Sequence, residues 1–341
     1  MVLIVALGSA CSPMDVGRGV LGLSRSQPSS PYQSAVKQVW SLNNKMNMTL
    51  DASLPDRFET GNAVIGDRAY IAGRKAQGVG PELQSALPLK RSTEWVPPQD
   101  GYPAHFLALV DSYEVHQGVP DTSAPSGYFF ELVQSSKNAP WKIDDWTFLA
   151  DANQKPPIAV DGKGQAKQLS ESAGTGRLLV DPGRLSAAYT QFFVESGNQQ
   201  PYSGPFATDA WTTGEVQQRG AADQSLGNTG ATMDSQVGQL PGTSLWSATG
   251  GGAVVFFHFA VAETVSATPG KLACIVQAGG GQGNFDYTLA PGDYTKVQFD
   301  SLYSVAALDP PKGSSSKARV LAGYGAFVRA TGTPAAPGSC G

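Results

Sequence analysis

Along this chain of 341 residues, the spacing of the apolar side chains changes from helical to alternating. Apolar residues recur three and four positions apart in residues 34–46 and 61–76, and at every second position in residues 105–113, 127–135 and 141–150. The first spacing is typical of one face of an α-helix, and the second is typical of a half-buried strand. The first part of the chain is therefore predicted to form two helices followed by an antiparallel meander.

The same order returns in the second part of the chain. A polar stretch at residues 156–176 has no periodicity and is predicted to be a linker. Asp181 followed by Pro182 fits the start of a helix, since an acidic N-cap and a proline in the first turn are both favoured there. Strands are predicted after this helix at residues 243–249, 253–265, 289–307 and 319–330. The repeated order suggests a diverged duplication.

We therefore expect an α+β fold with two related halves, each with N-terminal helices packed on a bent antiparallel sheet. A sheet with one apolar face must cover that face, and helices of the same half can do so. The predicted divisions are residues 1–33 (truncated signal and tether), 34–155 (first domain), 156–180 (linker), 181–332 (second domain) and 333–341 (tail). Two β-sandwich-like domains with short helices are the alternative.

The composition excludes some classes of protein. Lys and Arg number 24 and Asp and Glu number 28, which gives a net charge of −4. No nucleic-acid partner is expected, because binding to a phosphate backbone requires a dense basic surface. Apolar residues at 41% are enough for a folded core. No apolar run approaches the roughly 20 residues of a membrane-spanning helix.

The beginning of the chain carries a signal of location. An apolar run at residues 2–7 is followed by the small residues Gly8, Ser9 and Ala10 and then by Cys11. This pattern resembles the lipobox of bacterial lipoprotein signal peptides, which implies cleavage before Cys11 and a lipid on its sulfur. The alternative is an ordinary N-terminal apolar strand.

The other two cysteines are Cys274 and Cys340. If Cys11 carries lipid, they form an even set and could pair in an oxidising compartment. Their disulfide would close a loop of about 65 residues, worth up to ~4 kcal/mol in the chain-entropy description. Two free thiols are the alternative. Because no cysteines or histidines lie close together in the sequence, neither a metal site nor another cofactor is expected.

A set of short motifs follows one order along the chain. They are Phe58-Glu59-Thr60-Gly61, Asp67-Arg68-Ala69-Tyr70, Pro140-Trp141-Lys142, Asp181-Pro182-Gly183 with Leu185 and Tyr189, and Gly252-Ala253-Val254-Val255-Phe256-Phe257. From about residue 34 to residue 331, this order resembles a family of uncharacterised actinobacterial secreted lipoproteins. The resemblance implies a location in the cell envelope and no catalytic residue. Two helices across a bent sheet also resemble the nuclear-transport-factor-2-like fold, sometimes described as cystatin-like.

Familiar catalytic motifs are absent from the sequence. Neither a Gly-x-Ser-x-Gly nucleophile motif nor a phosphate-binding loop occurs. His258 lies between two phenylalanines and is predicted to be the buried histidine. Asp144 and Asp145 are adjacent and should point to opposite faces of a strand. Asp111 and Glu131 lie on neighbouring predicted strands and could meet, although solvated carboxylates are the alternative.

Candidate pocket residues follow from the resemblance and from the tryptophans. Small enzymes with the nuclear-transport-factor-2-like fold use an Asp or a His with a Tyr in the cone between helices and sheet. Trp141 and Trp146 should point to opposite faces of a regular strand, so one of them could line a pocket. The candidates are Tyr70, His105, Asp111, Tyr113 and Trp141. A packed aromatic core is the alternative.

These observations predict a non-enzymatic, extracytoplasmic protein that a lipid on Cys11 anchors to a bacterial membrane. The expected partner is a small apolar ligand or an envelope protein, with membrane contact only through the lipid. The alternative is an isomerase- or dehydratase-type enzyme that uses an acid/base residue in the cone of one half. A third hypothesis is that the protein has a purely structural, scaffolding role.

Overall fold

The computed structural model describes residues 30–76, 87–116, 119–149, 151, 154–197, 204–209, 211–214, 217, 224, 230–267 and 294–336. The main helices are α1 (Pro31–Thr49), α2 (Pro55–Phe58), α3 (Gly61–Ala76), α4 (Glu171–Gly174) and α5 (Pro182–Gly197). The strands are β1 (Arg91–Trp95), β2 (Ala104–His116), β3 (Val119–Gln134), β4 (Lys142–Leu149), β5 (Gln168–Leu169), β6 (Ala231–Ser247), β7 (Ala253–Ala267), β8 (Tyr294–Asp309) and β9 (Arg319–Pro334).

All of these strands belong to one antiparallel sheet, in the order β1-β2-β3-β4-β9-β8-β7-β6-β5. We call β1–β4 the first wing and β5–β9 the second wing. The wings join where β4 pairs with β9, through Phe148 with Gly323 and Leu149 with Ala322. At this join a Cβ on residue 323 would lie 2.3 Å from the ring of Trp211, so only glycine fits beside that tryptophan.

The sheet bends so that the two wings face each other across an inner core. Phe129 of β3 and Phe256 of β7 lie in this core with ring centroids 5.0 Å apart. The outer face of the first wing packs against α1 and α2, α3 covers the join between the wings on β4 and β9, and the outer face of the second wing packs against α5. Residues 106–110 of β2 and 253–259 of β7 are consequently buried on both faces.

The expectation of two separate helix-plus-sheet halves is wrong. The strands form one continuous sheet, and the inner core takes residues from both wings. Pairing of β4 with β9 satisfies backbone groups that two separate sheets would leave exposed at their edges. The run Ala253 to Phe257 carried the missed signal, because a continuous apolar strand is typical of burial on both faces rather than on one.

Several local elements follow their sequence patterns. The helix predicted at residues 34–46 forms as α1, and the Oγ atom of Ser30 accepts a hydrogen bond of 3.1 Å from the Gln33 amide as its N-cap.

Residues 156–176, predicted as a linker, contain β5 and place Ile158 and Ala166 in the inner core. None of the helices described is long and apolar enough to cross a membrane.

Candidate functional site

Ionisable side chains meet in a cleft of about 500 Å³ between the two wings. We call it the interior cleft. Its ionisable residues are His105, Glu131, Asp144, Asp145 and His258. A wider groove of about 780 Å³ adjoins it, and both cavities are lined by His105 and Gln168. Clefts of this size with a few convergent polar groups are typical of small-molecule sites.

A bulge in β4 brings two carboxyl groups to the cleft. Glu131 of β3 pairs with Asp145, but its neighbour Leu132 pairs with Ile143, so Asp144 is the extra residue. Asp144 and Asp145 therefore both line the cleft, whereas a regular strand would separate them. The same bulge places Trp141 and Trp146 against one outer core. The alternation expected for Asp144 and Asp145 is therefore wrong, and the expectation for the two tryptophans, which was made for a strand without a bulge, does not apply here.

A second irregularity, in β6, forms another wall of the cleft. The register between β6 and β7 shifts between Leu240 and Ser244. Within this segment Gly242 has a φ of +100°, a conformation that favours glycine. Its carbonyl oxygen lies 2.9 Å from Nδ1 of His258. The irregular segment thus turns a backbone acceptor toward a buried histidine.

Glu131 connects three strands through its carboxylate. Its Oε1 atom accepts hydrogen bonds from Nδ1 of His105 at 2.8 Å and from Nε2 of Gln168 at 3.5 Å. Its Oε2 atom accepts a hydrogen bond from the hydroxyl of Ser244. The side chain is buried, so these donors replace the water that a carboxylate would otherwise bind. Glu131 therefore orients His105 and links β3 of the first wing to β5 and β6 of the second.

His258 is buried, as the sequence predicted, and forms an ion pair with Asp145. Its Nε2 atom contacts the Asp145 carboxylate and its Nδ1 atom contacts the Gly242 carbonyl. Because both partners are acceptors, both ring nitrogens carry a proton. Burial alone lowers the pKa of His258, but the charge and hydrogen bond of Asp145 together with Gly242 outweigh it, and the pKa lies above its ordinary value. This pair holds the wings together and leaves no ring nitrogen free as a base.

Asp144 has a different environment from Asp145. Burial, together with the negative charges of Asp145 and Glu131, raises its pKa to about 6. Its Oδ1 atom lies beside Gly61 at the beginning of α3, since a Cβ there would approach that oxygen to 3.2 Å. Among the described residues no donor is bonded to its carboxyl group, so this carboxyl is open to a ligand.

His105 is the second group open to a ligand. Its Nδ1 atom is taken by Glu131, and no residue in the described part of the chain bonds its Nε2 atom. Burial lowers the pKa of His105, while the hydrogen bond and the charge of Glu131 raise it by more, so the net shift is upward. A histidine held through Nδ1 by a buried carboxylate presents Nε2 in a fixed orientation.

The structure does not bring the five candidate pocket residues together. His105 lines the interior cleft on the inner face of the first wing, and Tyr70 of α3 lies on the outer face. Trp141 packs edge-to-face on Phe106 in the outer core, with centroids 4.8 Å apart. Glu131, Asp145 and Ser244 complete the cleft and were not among the candidates; their contacts depend on the meeting of the two wings, which no short pattern encodes.

The remaining two of the five candidates, Asp111 and Tyr113, also lie away from the cleft. Asp111 forms a largely solvent-facing ion pair with Arg91 of β1. In the β2–β3 register, Asp111 pairs with Gly127 and Glu131 pairs with Leu107, so Asp111 does not meet Glu131. Tyr113 is half-buried near the end of β2.

The cysteine predictions concern residues that the structure does not describe. Cys11, Cys274 and Cys340 all lie outside the described ranges, so lipidation and the disulfide stay predictions. Within those ranges no group of three or more His, Cys, Asp or Glu side chains could hold a metal ion.

Fold and cleft together define a class: an antiparallel sheet folded into two facing layers, covered by helices on both outer faces, with a polar cleft between the layers. The chain belongs to the family DUF8094, a domain of unknown function, which matches residues 33–332. No curated protein and no solved structure matches the chain. The matched range begins in α1 and ends in β9, so it includes both wings and the cleft between them.

Proposed function

We propose that this protein is an extracytoplasmic, lipid-anchored binding protein whose interior cleft takes a small polar molecule. The lipobox-like segment ending at Cys11 and the resemblance to actinobacterial secreted lipoproteins support the anchor and the location. The open carboxyl of Asp144 and the open Nε2 atom of His105 support the cleft as the binding site. These polar groups favour a ligand with hydroxyl or amino groups over the apolar ligand that composition suggested.

One observation carries this proposal. In a cleft where Glu131 is bonded to His105, Gln168 and Ser244, and Asp145 is paired with His258, the Asp144 carboxyl and the Nε2 atom of His105 have no partner among the described residues. Polar groups on the wall of a partly enclosed cleft need a partner, which water or a ligand supplies. An amine placed between the two could donate to the Asp144 carboxylate and to the lone pair of a neutral Nε2, and a hydroxyl could donate to Asp144 while it accepts from Nε2–H of the protonated ring.

A second candidate function is acid/base catalysis by His105. The orientation of its ring by buried Glu131 favours it, because a general base needs a fixed lone pair and a partner for the cation that forms. The substrate would lose a proton to Nε2, and the protonated ring would stay paired with Glu131. Asp144 is the carboxyl group available as the acid. This candidate would place a reaction of the isomerase or dehydratase type between the wings.

Binding at the cleft can be tested with a panel of amino acids, polyols and monosaccharides, using calorimetry on the purified protein. We expect at least one compound to bind, and His105→Gln and Asp144→Asn each to weaken it by roughly tenfold or more. Asp300→Asn is the matched control, since Asp300 pairs with Arg329 outside the cleft. Binding that survives both cleft variants would refute the cleft as the site. Turnover of the bound compound, lost in His105→Gln, would favour the enzyme.

The anchor requires a separate experiment. Incorporation of an alkyne-labelled fatty acid into protein expressed from its natural gene in an actinobacterial host should label the wild type and not the Cys11→Ala variant. A wild-type protein that stays unlabelled in the cytoplasm would overturn the anchor and the location. That result would not bear on ligand binding at the interior cleft, which the calorimetry tests separately.

A further inference from the structure

A second cavity lies on the opposite side of the first wing from the interior cleft. It has a volume of about 310 Å³ and lies between helices α1 and α3 and the outer faces of β3, β4 and β9. We call it the helix-side cavity. Its volume is at the lower end of the range typical of small-molecule sites, so it suits a compact ligand.

Aromatic rings form the sheet side of the helix-side cavity. Its lining includes Tyr128, Trp146, Phe148 and Tyr324. These rings support one another: the centroid of Tyr128 is 4.9 Å from that of Phe148 and 5.4 Å from that of Trp146, and the centroid of Phe148 is 5.4 Å from that of Tyr324. Rings held in contact in this way form a fixed aromatic wall, and a cation placed over the face of such a ring is attracted to it.

The helix side of the cavity adds a carboxyl group. Asp67 of α3 lines it, next to the buried carboxyl of Glu59. Burial and the charge of Asp67 raise the pKa of Glu59 well above its usual range, which favours the neutral form of Glu59. Burial also raises the pKa of Asp67 to about 6, and a cation bound beside Asp67 would favour its charged form. The cavity that the aromatic rings line therefore also offers a carboxyl group to a cation.

Asn43 of α1 gives an independent observation at the same cavity. It lines the cavity and is 3% exposed, and its Nδ2 atom has no hydrogen-bond partner among the described residues. The adjacent Asn44 is fully engaged, since its amide both donates to and accepts from the backbone of Leu87. An unpaired buried donor costs free energy, and an oxygen of a ligand would supply the missing acceptor.

We infer that the helix-side cavity binds a compact organic cation that also carries an oxygen, of the class of quaternary ammonium alcohols. The aromatic rings and Asp67 surround the cation, and Asn43 is the donor that the ligand oxygen satisfies. No lysine or arginine is among the described residues that line the cavity; Arg74 acts on Tyr70, which is part of the lining, but does not line the cavity itself. This site is independent of the interior cleft and of the function proposed for it.

The probe for this site is choline, compared with its uncharged isostere 3,3-dimethylbutan-1-ol. Both have the same shape and the same hydroxyl, so a difference between them measures recognition of the charge. The full chain is titrated with each compound, and binding is followed by tryptophan fluorescence and by calorimetry. We expect the protein to bind choline at millimolar concentrations and to bind the isostere at least about tenfold more weakly. Absence of choline binding to folded wild-type protein, or equal binding of both compounds, would overturn the inference.

Two variants locate the binding, with one matched control. Asp67→Asn removes the charge and Tyr324→Leu removes one ring, and each should weaken choline binding by roughly tenfold. Asp56→Asn makes the same chemical change at an exposed carboxylate outside the cavity and should leave the affinity unchanged. A thermal melt of each variant separates loss of binding from loss of folding. If folded Asp67→Asn protein binds choline as the wild type does, the cavity is not the site.

Discussion

The outer cores of the two wings both consist of helices packed on the sheet, but they differ in how completely the space between helix and sheet is filled. In the second wing, Phe259 and Tyr303 stack with centroids 4.8 Å apart beneath α5, and the indole of Trp211 donates a 2.9 Å hydrogen bond to the hydroxyl of Tyr189. In the first wing, the helices border a cavity, and the Nδ2 atom of Asn43 beside it has no partner among the described residues. A void and an unpaired donor both lower stability, so their coincidence at one place in the first wing indicates a use other than folding.

The largest expected effect concerns the contact between the wings rather than either outer core. Asp145→Ala leaves the His258 imidazolium buried without its counter-ion and should lower the free energy of unfolding by roughly 3–5 kcal/mol. Because Asp145 belongs to the first wing and His258 to the second, urea unfolding followed by fluorescence and by circular dichroism should remain one transition. Two separate transitions would contradict the description of the wings as one cooperative unit.

The same pair predicts a pH dependence. The pKa of His258 lies above its ordinary 6.5, so its contribution to stability is complete below that pH and is lost as the pH rises through the higher folded value. The stability difference between wild type and His258→Gln should therefore shrink on raising the pH above 6.5. Denaturant melts of both proteins at a series of pH values measure this difference. A difference that grows with pH would contradict the ion pair.

The next effect tests the contrast between the outer cores directly. Phe259→Ala removes a buried ring from the filled core of the second wing and should cost about 3–5 kcal/mol. Phe148→Ala removes a half-buried ring that borders the helix-side cavity and should cost less, roughly 1–2 kcal/mol. Urea melts of the two variants give both values. Equal losses would mean that the first wing is packed as tightly as the second.

The smallest effect sharpens the contrast at one residue. Asn43→Leu removes the unpaired amide and fills part of the cavity, so it should raise the free energy of unfolding by about 0.5–2 kcal/mol while abolishing choline binding. The control is its neighbour: Asn44→Leu breaks the bonds to the Leu87 backbone and should lower stability by about 1–3 kcal/mol. Thermal melts with and without choline compare the two. Destabilisation by Asn43→Leu would indicate that its amide is already satisfied.

Local patterns in the sequence predicted local structure where one face of an element was buried. The periodicity of residues 34–46 located α1, and the phenylalanines around His258 indicated that this histidine is buried. The pairing of β4 with β9 could not be predicted from local patterns, because the two strands are far apart in the chain and the pattern of neither strand identifies the strand it pairs with. The alternation rule also could not locate the bulge at Asp144, since a single inserted residue inverts every side chain beyond it.

The interior cleft was predictable only in fragments. His105 was a candidate because a tyrosine-lined cone was expected, yet its partner proved to be Glu131 from the next strand and its neighbours come from the second wing. The groups that make the cleft polar are distributed over β2 to β7, and their convergence depends on the bend of the sheet. A bend is a property of many strands together and leaves no short signature in any one of them.

The position of β9 also limits the order in which the chain can fold. It is the last of the described strands in sequence, yet it occupies the middle of the sheet and is the strand that joins β4 to β8. During synthesis the first wing is complete long before its partner strand exists, and it must wait with an unpaired edge until the C-terminal residues emerge. Pairing across so large a sequence separation is slow. The chain is therefore most exposed to unwanted strand addition, and most dependent on chaperones, in the interval before its final strand arrives.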